Sequence, residues 1–122
     1  MSDATEFASR FAAQWNEPDA ELRRASIAEL WAKDCAHFTD TREFRGHEAM
    51  FDRITEAYEQ FVGTGKYQFV SAGNAVGHHD GIKFNWHMVS SADGTIAAVG
   101  FDFVVLDADG RIGLDYQFNE PS

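Results

Sequence analysis

Two Asp-Gly pairs, Asp93-Gly94 and Asp109-Gly110, each separate apolar runs in the last third of the chain. Such a pair supplies the left-handed backbone that a tight antiparallel turn needs, so the flanking runs are expected to form β-hairpins. Pairing outward from Asp93-Gly94 puts Asn85 opposite Asp102 and His87 opposite Gly100. Pairing outward from Asp109-Gly110 puts Gln117 opposite Asp102, with Asp115 and Asn119 two residues to either side. Side chains alternate with a period of two, so widening a turn by two residues changes the partners but keeps the faces. One face is then expected to carry Asn85, His87, Gly100, Asp102, Asp115, Gln117 and Asn119. The other carries Phe84, Trp86, Met88, Val99, Phe101, Phe103, Leu114, Tyr116 and Phe118.

The first half has a helical period. Asp3-Ala4-Thr5-Glu6 reads as an N-cap with its capping acid, followed by a stripe of Phe7, Phe11 and Trp15. Pro18 follows that helix, and Asp19 is expected to cap a second whose buried side is Leu22, Ile27, Leu30 and Trp31. Cys35 to Asp40 reads as a short strand and Thr41 to Arg45 as a polar loop. A third helix from Gly46 is marked by Met50, Ile54, Tyr58 and Phe61, and Gly63-Thr64-Gly65 stops it. Tyr67, Phe69 and Ile82 to Ser90 read as strands, with a polar turn at Gly77 to Gly81. The sequence thus predicts one α+β domain of 122 residues, three helices before a meander of about four antiparallel strands.

A formal charge of −10 sets the chain against nucleic-acid backbones and anionic membrane surfaces, so neither is expected as a partner. Cys35 is the one cysteine, which excludes an internal disulfide and a cysteine-based metal cluster. Met1 to Trp15 has no uninterrupted apolar stretch of a secretion signal, and a reducing cytoplasm is the expectation. Glycine-rich phosphate loops, nucleophile elbows and cysteine nucleophiles are absent, so no cofactor is expected.

Asp102 stands alone in the apolar run Val99 to Leu106. Burying an unpaired carboxylate costs several kcal/mol unless it takes up a proton, so a chain that keeps one there pairs it or uses it. Two arrangements are open. The polar face is wet and the aromatic face lies on the helices, or the polar face lines a cavity and a second subunit covers the aromatic face. Val104 and Leu106 continue the Asp102 face as apolar residues, which favours the cavity. His87, diagonal to Asp102, is either a proton-transfer partner for it or an ordinary strand histidine. Gly100 leaves room for a ligand or marks a bulge, and Asp40 is a base or a turn acid. His78-His79-Asp80 has ligand chemistry, but adjacent side chains point apart and no metal is expected there. His37 is expected at the surface or an interface, and Tyr58 either packs in the core or lends its hydroxyl to the cavity.

The element order carries particular words: Leu30-Trp31-Ala32-Lys33-Asp34, Phe38-Thr39-Asp40, Arg45-Gly46-His47-Glu48-Ala49-Met50, Gly100-Phe101-Asp102-Phe103 and Asp109-Gly110-Arg111-Ile112. Together these resemble the nuclear-transport-factor-like superfamily, which includes SnoaL-like polyketide cyclases and ketosteroid isomerases. The resemblance implies a cone-shaped roll of three N-terminal helices packed on a curved, mainly antiparallel sheet. In the isomerase branch a pocket acid on the penultimate strand precedes a turn glycine by eight residues, and Asp102 and Gly110 keep that spacing. Asp115 and Asn119 match cavity-lining positions of the last strand, and Asp40 matches the general base after one inserted residue. Phe11 stands where that branch has its oxyanion-binding tyrosine, which argues against a steroid isomerase. The implied activity is cofactor-free acid–base chemistry on a partly polar small molecule, of isomerase, dehydratase, cyclase or hydrolase type. Asp40, His87 and Asp102 would move protons, and Phe11, Tyr58, Asn85, Asp115, Gln117 and Asn119 would hold the substrate. A non-catalytic ligand-binding or accessory dimerisation domain is the alternative, and a homodimer through the sheet is expected in either case.

Overall fold

The computed structural model describes residues 3–120. Helix α1 (Asp3–Gln14) buries Phe7, Ala8, Phe11 and Ala12, and Trp15 follows on the same side. Helix α2 (Ala20–Leu30) starts at Asp19, whose carboxylate accepts from the backbone N–H groups of Glu21 and Leu22. Its buried side is Arg23, Ile27 and Leu30; Leu22, expected inside, is 57% exposed. Arg23 takes its place because neutral acceptors surround its head: the carbonyl of Glu17 and the hydroxyl of Thr55, with the rings of Phe51 and Tyr58 alongside.

Strand β1 (Trp31–Phe38) begins earlier than expected, directly at the end of α2, and β2 (Glu43–Arg45) forms inside the segment read as a loop. Helix α3 (Gly46–Ala57) runs on as a π-helical turn, Tyr58–Val62, closed by the Gly63 N–H donating to the Tyr58 carbonyl at 2.7 Å. The remaining strands are β3 (Tyr67–Ser71), β4 (Val76–His78), β5 (Gly81–Ser90), β6 (Ile96–Leu106) and β7 (Ile112–Glu120). Among the described residues they form one seven-stranded sheet ordered β2-β1-β7-β6-β5-β3, with β4 also on β5. The sheet is curved, is not closed into a barrel, and is antiparallel except where β1 lies parallel to β7. The fold class is that of the expected cone.

Register decides the site. Between β6 and β7, Asp102 faces Gln117 as expected, but by two offsetting departures. Next to the turn Leu106 pairs with Ile112, one residue off the two-residue turn, and Gly113 is left over before Leu114 pairs with Val105. Between β5 and β6 the pairing is one residue away from the expected one: Phe84 faces Asp102, and Trp86 faces Gly100. The cause is an irregularity where Met88 pairs with Ala98 but Val89 pairs with Ile96, leaving Ala97 over. A slip of one, unlike a slip of two, turns every side chain to the other face. Phe84, Trp86 and Met88 therefore face the helices, while Asn85 and His87 face away.

The core lies between this face and the helices, with Phe7, Phe11, Trp15, Ile27, Trp31, Met50, Ile54, Phe84, Val104 and Ile112 buried. Each such side chain contributes about 1.5–3 kcal/mol of transfer free energy. The opposite, convex face leaves Phe103, Leu114, Tyr116 and Phe118 between 37% and 55% exposed.

Candidate functional site

Parallel pairing of β1 with β7 sets His37 beside Asp115, and the β6–β7 register sets Asp102 diagonal to Asp115 on the same face. All three are fully buried. His37 Nδ1 lies 2.7 Å from Asp115 Oδ2. Trp86 Nε1 donates to Asp102 Oδ1 at 2.7 Å. The other carboxyl oxygens, Asp102 Oδ2 and Asp115 Oδ1, have no partner if both acids are ionised. A single proton on Asp102, donated to Asp115, satisfies both.

The electrostatics agree. Burial, then the charge of Asp115, holds Asp102 well above the carboxylate range. Burial pushes Asp115 up to about 6, against the opposing hydrogen bond from Asp102 and the charge of Arg53. Burial also lowers His37 to about 4. The geometry asks for one proton on Asp102, which its burial favours, shared with Asp115, and for a neutral His37 that donates through Nδ1. His37 Nε2 then keeps its lone pair, and Arg53 Nε approaches it at 3.4 Å.

The donor atoms of His37, Asp102 and Asp115 lie within 4.8 Å of one another, the spacing of a metal site. Their hydrogen bonds occupy His37 and one oxygen of each acid, and the Arg53 guanidinium stands alongside as a competing cation. The set fits a shared proton better than a dication.

In front of the cluster lies a cavity of about 330 Å³. Phe11, Trp15, Phe61, Phe69, Trp86 and Met88 make its apolar wall. Asp40, Arg42, Arg53, Gln117 and Asn119 supply its polar groups. Trp86 and Arg53 belong to both structures: each lines the cavity and touches a buried titratable group behind it.

Of the residues singled out by sequence, Phe11, Gln117 and Asn119 line this cavity, and Asp40 stands exposed at its rim. Asp102 and Asp115 lie behind its wall. His87 and Asn85 are corrected: the β5 slip places both on the convex face, where Asn85 bonds Asn74 and the Gly100 carbonyl. Tyr58 is corrected as well, since its ring lies under the Arg23 guanidinium, 4.9 Å away, and not on the cavity. His37, expected outside, is at the centre. Strand alternation counted from Asp40 misplaces it, because β1 ends at Phe38 and Asp40 belongs to a bend. Arg53 and Trp86 were not singled out; the one signal for Trp86 was its place in the aromatic row of β5 with Phe84 and Met88. His78, the last residue of β4, and His79, in the turn to β5, are both exposed.

No protein-family model matches the sequence, and no curated protein does. Solved structures do. A proposed isomerase of the SnoaL-like family from Agrobacterium tumefaciens is 31% identical over 99% of this chain and 100% of its own, with a TM-score of 0.88. The chain belongs to the SnoaL-like family. Two more distant structures share its fold. A proposed ketosteroid isomerase from Kribbella flavida is 13% identical over 98% of this chain and 78% of its own, with a TM-score of 0.70. A proposed polyketide cyclase from Sinorhizobium meliloti is 12% identical over 92% of this SnoaL-like chain and 93% of its own, with a TM-score of 0.65.

Proposed function

We propose that this SnoaL-like protein is an acid–base enzyme acting on a small, partly polar organic molecule, by isomerisation, dehydration, cyclisation or hydrolysis. The observation that carries the reading is the buried His37–Asp115–Asp102 cluster, whose members are displaced from their ordinary pKa values directly behind a cavity. His37 Nε2 is the base, Asp115 fixes the tautomer that presents it, and Asp102 stores the proton that Asp115 lacks. A proton taken from a carbon next to a carbonyl returns to another carbon in an isomerase, or to a departing oxygen in a dehydratase. Asp40, at the rim, serves as an acid or base toward solvent.

An NMR titration of His37, Asp102 and Asp115 tests this. Support is an imidazole that stays neutral well below its ordinary 6.5 together with a carboxyl still protonated at neutral pH. Ordinary titration of all three groups sinks it.

One observation favours a second reading, a ligand-binding domain without chemistry: neither His37 nor either acid has exposed surface. Under that reading ligands bind while the titration of His37 never responds to them.

The convex face supports the expected homodimer, since Phe103, Leu114, Tyr116 and Phe118 give it exposed aromatic and aliphatic surface. No helix among the described residues is long and apolar enough to cross a membrane. A cytoplasmic setting suits the free, buried thiol of Cys35.

A further inference from the structure

We infer that the cavity takes a compact organic anion, a carboxylate on an aromatic or branched apolar body, with Arg53 as its charge partner. The inference names a substrate class for the cavity proposed above as the active site.

Arg53 reaches the cavity from α3 with only 15% of its side chain exposed. A guanidinium has five N–H donors. Those of Arg53 make long contacts only: 3.4 Å to His37 Nε2, 3.5 Å to Gln117 Oε1 and 3.9 Å to Glu56. Glu56 is committed elsewhere, to Arg42 at 2.6 Å. The negative charges that face Arg53 are Glu56, shared with Arg42, and the acids beyond His37, so no carboxylate fills the fork itself. Burial disfavours the charged form of Arg53, a cation that has lost water and holds in its place the ring faces of Trp15 and Phe44 and long polar contacts, with no carboxylate in its fork. A planar carboxylate matches such a fork bidentately. The amides of Gln117 and Asn119 supply further donors beside it, and the aromatic wall takes the rest of the molecule. At about 330 Å³ the space suits a small molecule.

Filling the fork has a consequence for the base. His37 faces Asp115 and Asp102 from the sheet, Arg53 from α3 and Arg42 from the β1–β2 turn. Arg53 is one of the charges that hold His37 down. A carboxylate that engages Arg53 offsets that charge and draws its Nε from His37 Nε2. The anion thereby raises the basicity of an imidazole that burial, first of all, holds down, and uncovers its lone pair, so the acid–base step becomes conditional on the right ligand.

The experiment compares benzoate with benzamide, which has the same ring and no charge, by calorimetry and by NMR of His37 on the full chain. Benzoate is expected to bind about tenfold or more tightly than benzamide and to raise the His37 titration, which benzamide leaves in place. Arg53→Gln is expected to remove that preference while benzamide binding changes little, and Arg53→Lys to keep part of it. Equal affinity for the two probes, an unmoved His37, or no binding of either at millimolar concentration overturns the inference. The wild-type comparison stands even if Arg53→Gln fails to fold. Failure of the acid–base reading is seen separately, as ordinary titration of His37 before any ligand is added.

Discussion

At the scale of residues the decisive quantity is one proton. Protonated Asp102 accepts from Trp86 with one oxygen and donates from the other to Asp115, whose second oxygen accepts from His37. Asparagine reproduces that pattern, accepting with its carbonyl and donating with its amide. Asp102→Asn is therefore expected to gain stability over wild type as the pH rises above 3.8, since wild type must protonate Asp102 on folding and asparagine need not, and to lose turnover by about a hundredfold or more. Asp102→Ala strands Trp86 Nε1 and Asp115 Oδ1 and opens a void, costing about 2–4 kcal/mol by urea denaturation.

The same cluster fixes a pH dependence. His37 falls from 6.5 to about 4 on folding, so its contribution to stability is present above 6.5 and is lost as the pH drops toward 4. Asp115 rises from 3.8 to about 6, so its contribution is present below 3.8 and is lost as the pH climbs through 6. Between about 4 and 6 the two slopes oppose each other. His37→Gln removes one of them, and its urea midpoint is expected to fall with rising pH across that window relative to wild type.

At the scale of elements, two contacts hold the cavity wall. Gly100 faces Trp86 across β5 and β6, and a Cβ there would collide with the indole ring. The glycine makes room for Trp86, not for a ligand. Gly100→Ala must push the ring off Asp102, with an expected cost of about 1–3 kcal/mol and a displaced indole N–H resonance. Asn16, just past α1, acts as a short substitute strand for β3, at the sheet edge. Its amide donates to the Phe69 carbonyl at 2.7 Å and accepts from the Phe69 N–H at 2.9 Å. Asn16→Ala is expected to cost about 1–2 kcal/mol and to raise hydrogen exchange at Phe69. The π-helical turn matters here as well, because it sets Phe61 on the cavity wall after the regular turns of α3 have placed Arg53.

At the scale of the whole molecule, the sheet separates two kinds of surface. Its concave side carries the buried cluster and the cavity; its convex side carries exposed apolar groups, with Phe38 stacked on Tyr116 at 5.0 Å. A second copy seated there would remove the hazard of that surface. Sedimentation is expected to show a dimer at micromolar concentration. The pair Tyr116→Asp and Phe118→Asp is expected to shift it to monomer, while the titration of His37 stays unchanged.

Local sequence determined the helices, whose caps and apolar spacing lie within a few residues of each other, and the existence of the β6–β7 hairpin, although Gly113 left over in β7 was needed to bring Asp102 opposite Gln117. It also marked Asp102, because an acid in an apolar strand is costly wherever the strand lies. The tertiary structure decided the rest. Ala97 left over in β6 turned β5 about, exchanging His87 for Trp86 beside Asp102, and no turn signal encodes an odd count. His37 meets Asp115 across 78 residues because β1 and β7 run parallel, a pairing of strands from distant parts of the chain that no local pattern shows.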